Sequence, residues 1–103
     1  METEIVRDCL AFLKLYGIFA WRNNSGTSHN GKVRYGLVGS SDIIGILPDG
    51  RFLAIECKYG KGKTTPEQDA FLAEITRNGG EAFVARSVDD VQKWHLTTAK
   101  NAV

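Results

Sequence analysis

Asp42-Ile43-Ile44-Gly45-Ile46-Leu47-Pro48-Asp49-Gly50-Arg51-Phe52-Leu53-Ala54-Ile55-Glu56-Cys57-Lys58 is the stretch whose reading decides the fold. Two apolar runs, Asp42 to Leu47 and Arg51 to Lys58, flank a Pro48-Asp49-Gly50 turn in which proline presets φ and glycine accepts a left-handed backbone. They read as one β-hairpin. If Leu47 pairs with Arg51 across the turn, antiparallel pairing sets Ile46 opposite Phe52, Ile44 opposite Ala54 and Asp42 opposite Glu56. Directly opposed residues have Cβ atoms roughly 5 Å apart, and Lys58, two positions beyond Glu56, points to the same face. Two carboxylates and a lysine are therefore expected in one corner, and a slip of one residue in the register would scatter them.

Carboxylates this close repel and raise each other's pKa, so the arrangement calls for a cation between them. Hard oxygen ligands at this spacing suit Mg²⁺ or Mn²⁺, which keep several waters and leave positions for a phosphate oxygen and an attacking water. In that reading Asp42 and Glu56 hold the metal. The Lys58 ammonium stabilises charge on the phosphorane or orients the water whose pKa the metal lowers. The chemistry expected of such a trio is hydrolysis of phosphodiester bonds. Asp, Glu and Lys are also ordinary residues at strand ends, so the bare pattern needs support from the rest of the chain.

With 103 residues, 43% hydrophobic and 24% charged, the sequence predicts a single domain over residues 1–103 with one modest core. No apolar run is long enough to span a bilayer, and Met1-Glu2-Thr3-Glu4 is acidic where a secretory signal is basic. A cytoplasmic location without a membrane partner is expected. Cys9 and Cys57 lack ligand spacing and are expected as small buried hydrophobes, while His29 and His95 read as isolated polar residues. A net charge of +1 argues against a simple electrostatic nucleic-acid binder. Its distribution says more: acids gather at Glu2, Glu4, Asp8, Asp89 and Asp90, whereas Arg22, Lys32, Arg34, Lys58, Lys61 and Lys63 fall around the hairpin. They form either a basic face or a set of solvated loop charges.

Outward from the hairpin, Thr3 is expected to cap a helix to about Tyr16, with Ile5, Cys9, Phe12 and Tyr16 on one apolar stripe, Val6, Leu10 and Leu13 beside it, and Gly17 ending it. Ile18 to Arg22 reads as a strand, residues 23–31 as a mobile polar loop, and Lys32 to Leu37 as a short strand. Both faces of the hairpin are apolar, which demands helices above and below the sheet. Thr65-Pro66-Glu67-Gln68 opens one helix, ended by Gly79-Gly80. Glu81 to Arg86 is a strand parallel to that of Glu56, and Ser87 caps a last helix carrying Val88, Val91 and Trp94. The predicted order is α-β-β-β-α-β-α, an α/β fold with a mixed central sheet, to which Lys32 to Leu37 adds a short strand.

With these elements in place, the chain resembles the VRR-NUC nucleases, a branch of the PD-(D/E)xK superfamily found in phage and in DNA-repair proteins. The likeness covers nearly the whole chain. It rests on Glu4, Trp21-Arg22-Asn23-Asn24-Ser25-Gly26, Gly39-Ser40-Ser41-Asp42-Ile43-Ile44-Gly45, Phe52-Leu53-Ala54-Ile55-Glu56-Cys57-Lys58, and Thr65-Pro66-Glu67-Gln68 with Phe71. The superfamily often has proline before the first aspartate, and here that position is Ser41. The resemblance implies a restriction-endonuclease-like core and a Mg²⁺ or Mn²⁺ ion held by Asp42, Glu56 and the backbone carbonyl of Cys57, with Glu4 as ligand or nearby acid. It makes Lys58 the catalytic lysine and Gln68 the glutamine that orients it or a water. Gln68 equally fits a capping box after Thr65, and Glu4 a favourable first-turn charge worth roughly 0.5 kcal/mol.

Candidate contacts to nucleic acid are Arg22, Asn23 and Asn24 at the polar loop, Lys32 and Arg34 beyond it, and Lys61 and Lys63 in a flexible basic segment. Trp21 and Tyr35 are candidates to stack on unpaired bases, although a tryptophan in an amphipathic strand belongs more often to the core. The function expected is a metal-dependent, structure-selective endodeoxyribonuclease of the Holliday-junction-resolving kind. It would act on branched DNA in a phage or bacterial host cytoplasm, as a C2 homodimer built around Trp94 or the Phe83 strand. The alternative is a catalytically silent module of the same fold that binds DNA or protein.

Overall fold

The computed structural model describes residues 1–24, 26–27, 30–32 and 34–101, and for 26–27, 34–35 and 99–101 the backbone alone. Glu2–Leu15 forms α1, whose buried residues are Val6, Cys9 and Leu13. That spacing follows one side of a helix of 3.6 residues per turn, and Ile5, Leu10 and Phe12 pack at its edges. Thr3 lies inside the helix and not at its cap, because the Met1 carbonyl already accepts from the N–H groups of Glu4 and Ile5. Tyr16, expected on the buried stripe, is exposed and packs its ring against Phe12 and His95. Gly17 turns the chain out of the helix at φ +73°.

β1 (Phe19–Arg22) leads into a two-stranded ribbon of β2 (Gly26–Thr27) and β3 (Arg34–Tyr35), paired Gly26 to Tyr35 and Thr27 to Arg34. The segment expected to be an irregular loop therefore contains a strand, and the strand expected over Lys32 to Leu37 shortens to two residues. A ribbon this short is held by backbone pairing, which leaves no mark in the apolar pattern. β4 (Ile43–Ile46) and β5 (Phe52–Cys57) pair in the expected register, Ile44 to Ala54 and Ile46 to Phe52. Leu47 N–H donates to the Arg51 carbonyl and Gly50 N–H to that of Leu47, both at 2.8 Å, with Gly50 at φ +91°. α2 (Pro66–Arg77) crosses over to β6 (Glu81–Ala85), which runs parallel to β5 with Glu56 beside Val84. α3 (Val88–Asn101) closes the chain. The main sheet has the order β1-β4-β5-β6, so the predicted sequence of elements holds with the β2–β3 ribbon inserted.

One face of the sheet carries Ile43, Leu47, Leu53, Ile55 and Cys57 into a core with Val6, Cys9, Leu13, Ile18, Ala85 and Val91, beneath α1 and α3. α2 lies on the other face over β5 and β6. The β1–β4 half of that face stays open, and Trp21, expected in the core, is 41% exposed there beside Phe19 at 67%. At the hairpin tip, Glu81 accepts from Arg51 and from the Trp94 indole N–H at 2.9 Å, tying the turn to β6 and α3. No described helix is long and apolar enough to cross a membrane.

The approach to Asp42 is set by Gly39, which sits at φ +83° against the first turn of α2. A Cβ built there would lie 2.6 Å from the Glu67 carbonyl oxygen. Gly39→Ala should therefore cost about 2 kcal/mol in urea denaturation, from positive φ and displaced backbone together. A cost within experimental error of zero would mean that this segment is not seated on α2.

Candidate metal centre

Asp42 precedes β4 by one residue and continues its register, its backbone carbonyl accepting from Asn23 N–H at 2.7 Å. Its side-chain Oδ2 accepts from the Cys57 backbone N–H at 2.8 Å, which aims the carboxylate across the strands toward Glu56. Glu56 is 2% exposed, and its Oε2 is buried with no hydrogen-bond partner. Burial first, and then the facing Asp42 carboxylate, push the Glu56 carboxyl up to about 8, while Lys58 pulls in the other direction. Lys58 is half-buried, and its backbone N–H extends the parallel ladder by donating to the Ala85 carbonyl at 3.0 Å. Glu56 thus faces the Asp42 carboxylate and feels the Lys58 charge.

An orphaned oxygen on a buried carboxylate that faces a second carboxylate is what a cation would satisfy, so the donor set fits a hard divalent ion. Among the described residues no group of three or more His, Cys, Asp or Glu is placed to hold a metal. Two carboxylates and a carbonyl suit an ion that retains most of its water, as Mg²⁺ and Mn²⁺ do, and not a tetrahedral zinc site. The Cys57 thiol belongs to the core, where its contact with Cys9 and then burial push its pKa up. Only its carbonyl would be left to a metal.

Glu4 does not point into this corner: it is exposed and pairs with the N-terminal amine at 3.8 Å. Glu2 comes closer. It extends the Val6, Cys9, Leu13 side of α1, and a methyl group built on Gly62 would lie 3.9 Å from Lys58 Cδ and 4.0 Å from Glu2 Oε2. That spacing was the available signal, hidden by placing the helix start at Thr3. Gln68 makes both halves of the capping box, its Oε1 accepting from Thr65 N–H at 2.9 Å and its N–H donating to Thr65 Oγ1 at 3.1 Å. With the amide oxygen held at the helix start, only Nε2 remains for an orienting role.

Asn23 Nδ2 donates to Ser40 Oγ at 2.8 Å and to the Ser41 carbonyl at 3.0 Å, fastening the residues before Asp42 to the end of β1. Its amide nitrogen thereby positions the segment that carries Asp42. Arg22 is exposed and, pairing with Ile43, shares the sheet face opposite to Asp42. Asn24, Lys32, Lys61 and Lys63 are all exposed. The segment expected to be flexible around Lys61 and Lys63 is a closed turn: Gly62 N–H donates to the Tyr59 carbonyl, and Arg86 Nη1 donates to the carbonyls of Gly60 and Gly62, both at 2.8 Å. Arg86 was not singled out by its sequence context, and its nearness follows only from the β5–β6 pairing. Expectations for His29, and for the side chains of Arg34 and Tyr35, lie outside the described residues.

The raised Glu56 carboxyl has a measurable consequence in metal-free protein. A folded value of about 8 against an ordinary 4.5 means that stability present below pH 4.5 is lost as pH rises toward 8. In EDTA, urea denaturation should show a loss on the order of a few kcal/mol across that window, at about 1.4 kcal/mol per pKa unit. Glu56→Gln should flatten the slope and be the more stable protein at pH 8.5. Parallel pH profiles for the two proteins would contradict the buried, uncompensated carboxylate.

A family model described as the VRR-NUC domain matches residues 17–89, well over half of the chain. A solved structure described as a "VRR_NUC domain" superposes with a TM-score of 0.66 over 89% of this chain and 90% of its own length, at 22% identity. At that identity the likeness is one of fold. No curated protein gives a significant match. The family match spans α2 and every strand from β1 to β6, including the hairpin that pairs the two carboxylates, and the chain accordingly belongs to the VRR-NUC domain family and is a nuclease-type domain.

Proposed function

We propose that this chain is a Mg²⁺- or Mn²⁺-dependent endodeoxyribonuclease that hydrolyses phosphodiester bonds of branched or structured DNA, with four-way junctions among its substrates. The observation that carries this reading is the buried Glu56 carboxylate, facing Asp42 with one oxygen unpartnered. Asp42, Glu56 and the Cys57 carbonyl would hold the ion, with Glu2 in place of Glu4 as the acid from α1. When bound, the ion supplies a counter-charge for the phosphate and an acidified water.

The remaining work belongs to the chain's own groups. The Cys57 N–H fixes the direction of Asp42, and Asn23 fixes the backbone from which Asp42 springs. The Lys58 ammonium, held beside Glu56, offers positive charge where the phosphorane develops it. Lys61 and Lys63 ride on a turn clamped by Arg86, so they can meet flanking phosphates without an ordering penalty. Every described helix and strand of the main sheet is used in building this corner or its core, which supports recognition of DNA shape over base sequence.

With Mn²⁺ present, purified protein should cut flap or four-way DNA, and Asp42→Ala, Glu56→Ala and Lys58→Ala should each lower the rate by roughly 10²-fold or more. Calorimetric Mn²⁺ binding should vanish in Glu56→Ala. Intact branched and nicked DNA after incubation with wild type, or an Asp42→Ala protein that cuts as well, would refute the reading. DNA binding without metal or turnover would instead mark a binding module.

Resolving a junction takes two symmetric cuts, and we propose a C2 homodimer as the active form. Phe83 and Trp94 turn inward onto each other with ring centroids 5.3 Å apart, so the surface offered is the free edge of β6 and not those rings. Light scattering should give twice 11.3 kDa at assay concentration. A mass of one chain throughout would leave single nicks as the only product.

A further inference from the structure

The open half of the sheet face carries an apolar strip that the centre just described does not use. Phe19, Trp21 and Ile46 are exposed by 67%, 41% and 44%, and Phe52, at the adjoining start of β5, by 39%. Phe19 and Trp21 belong to β1, an edge strand, where an uncovered row of large apolar side chains invites aggregation unless it has a use. Their rings lie 5.3 Å apart at 51°. Trp21 pairs with Ile44, two residues from Asp42, so by sheet spacings it stands one strand over and two positions along, about 8 Å from the carboxylate on the same face. The strip therefore runs into the metal centre.

We propose that Phe19 and Trp21 form the platform on which the unpaired bases of a branched or single-stranded DNA substrate stack, beside the phosphate held at Asp42 and Glu56. The inference rests on the nuclease reading above and names the feature of the substrate that the site selects. An unpaired strand has the chemistry that this surface complements: flat π faces for the two rings, and phosphates for the cationic end where Lys58, Lys61 and Lys63 lie. Paired bases hide those faces inside the helix, so blunt duplex gains nothing from the platform. A second protein copy is a poorer fit. Side chains of roughly 200 Å² exposed to this degree present on the order of 400 Å², about half of the ~800 Å² that each partner of a stable interface buries.

Trp94 is the only other tryptophan, so Trp94→Phe isolates the emission of Trp21. In EDTA, a single-stranded dT oligonucleotide should quench that emission saturably. Phe19→Ala and Trp21→Ala should each weaken single-strand binding by roughly tenfold, the scale of one lost stacking contact. On DNA cut in Mn²⁺, the loss should be at least about fivefold larger for flap than for nicked duplex. If Trp94→Phe does not fold, Trp21→Phe in the native background must remove the quenched component while keeping most of the affinity.

Binding without quenching, equal losses on all substrates, or a concentration-dependent oligomer abolished by Phe19→Ser would overturn the proposal, the last by giving the face to a second copy. Quenching in a protein that cuts nothing would sink the nuclease reading and leave the platform standing. Cleavage without quenching would do the reverse.

Discussion

Everything the centre does depends on one cross-strand register, the pairing that sets Asp42 opposite Glu56. Three features enforce it. The turn closed by Leu47 and Arg51 sets the count of residues, and Asn23 and the Cys57 N–H hold Asp42 from both sides. The third lies behind the sheet, where Ile43, Leu53 and Ile55 are wholly buried. Full burial of such a side chain contributes about 1.5–3 kcal/mol, and a one-residue slip of β5 against β4 would turn Leu53 and Ile55 toward the α2 face while driving Glu56 into the apolar core. The hydrophobic core thus fixes the geometry of a polar site it never touches.

The same alternation explains why the charged form of Glu56 is disfavoured. Its neighbours along β5, Ile55 and Cys57, anchor the strand in the core and carry Glu56 to 2% exposure with them. Water cannot compensate the charge there, and the nearest group across the strands is a second carboxylate. The burial that anchors the strand therefore works against the charged form of this residue. Ser41 adds to the tension, since its hydroxyl is buried without a partner one position before Asp42.

The hairpin, its register, the capping box at Thr65 and the parallel crossover to β6 were all legible, because each follows from a local rule read over a few residues. What was not legible depended on neighbours distant in sequence. Alternation shows which face Trp21 is on but not whether a helix covers it. Gly60 and Gly62 read as flexibility until Arg86, 26 and 24 residues on, is seen to donate to their carbonyls. Gln68 had two possible tasks, and only the position of Thr65 showed that its oxygen was taken. Glu2 is masked in the sequence because the threonine next to it mimics a cap.

The open β1–β4 surface is itself a consequence of element sizes. Four strands spaced about 4.8 Å apart make a sheet wider than the 10–12 Å diameter of one helix. Two helices, α1 and α3, suffice for the core face, whereas α2 alone lies on the other and, being the crossover from β5 to β6, has to lie over those two strands. The uncovered strands are then necessarily β1 and β4, which supply Trp21 and lead into Asp42. Topology and the right-handed crossover rule leave the carboxylates at the border between covered and open sheet. Glu56 on β5 is buried, while Asp42 on the β4 side stands half-buried at the margin of the open surface.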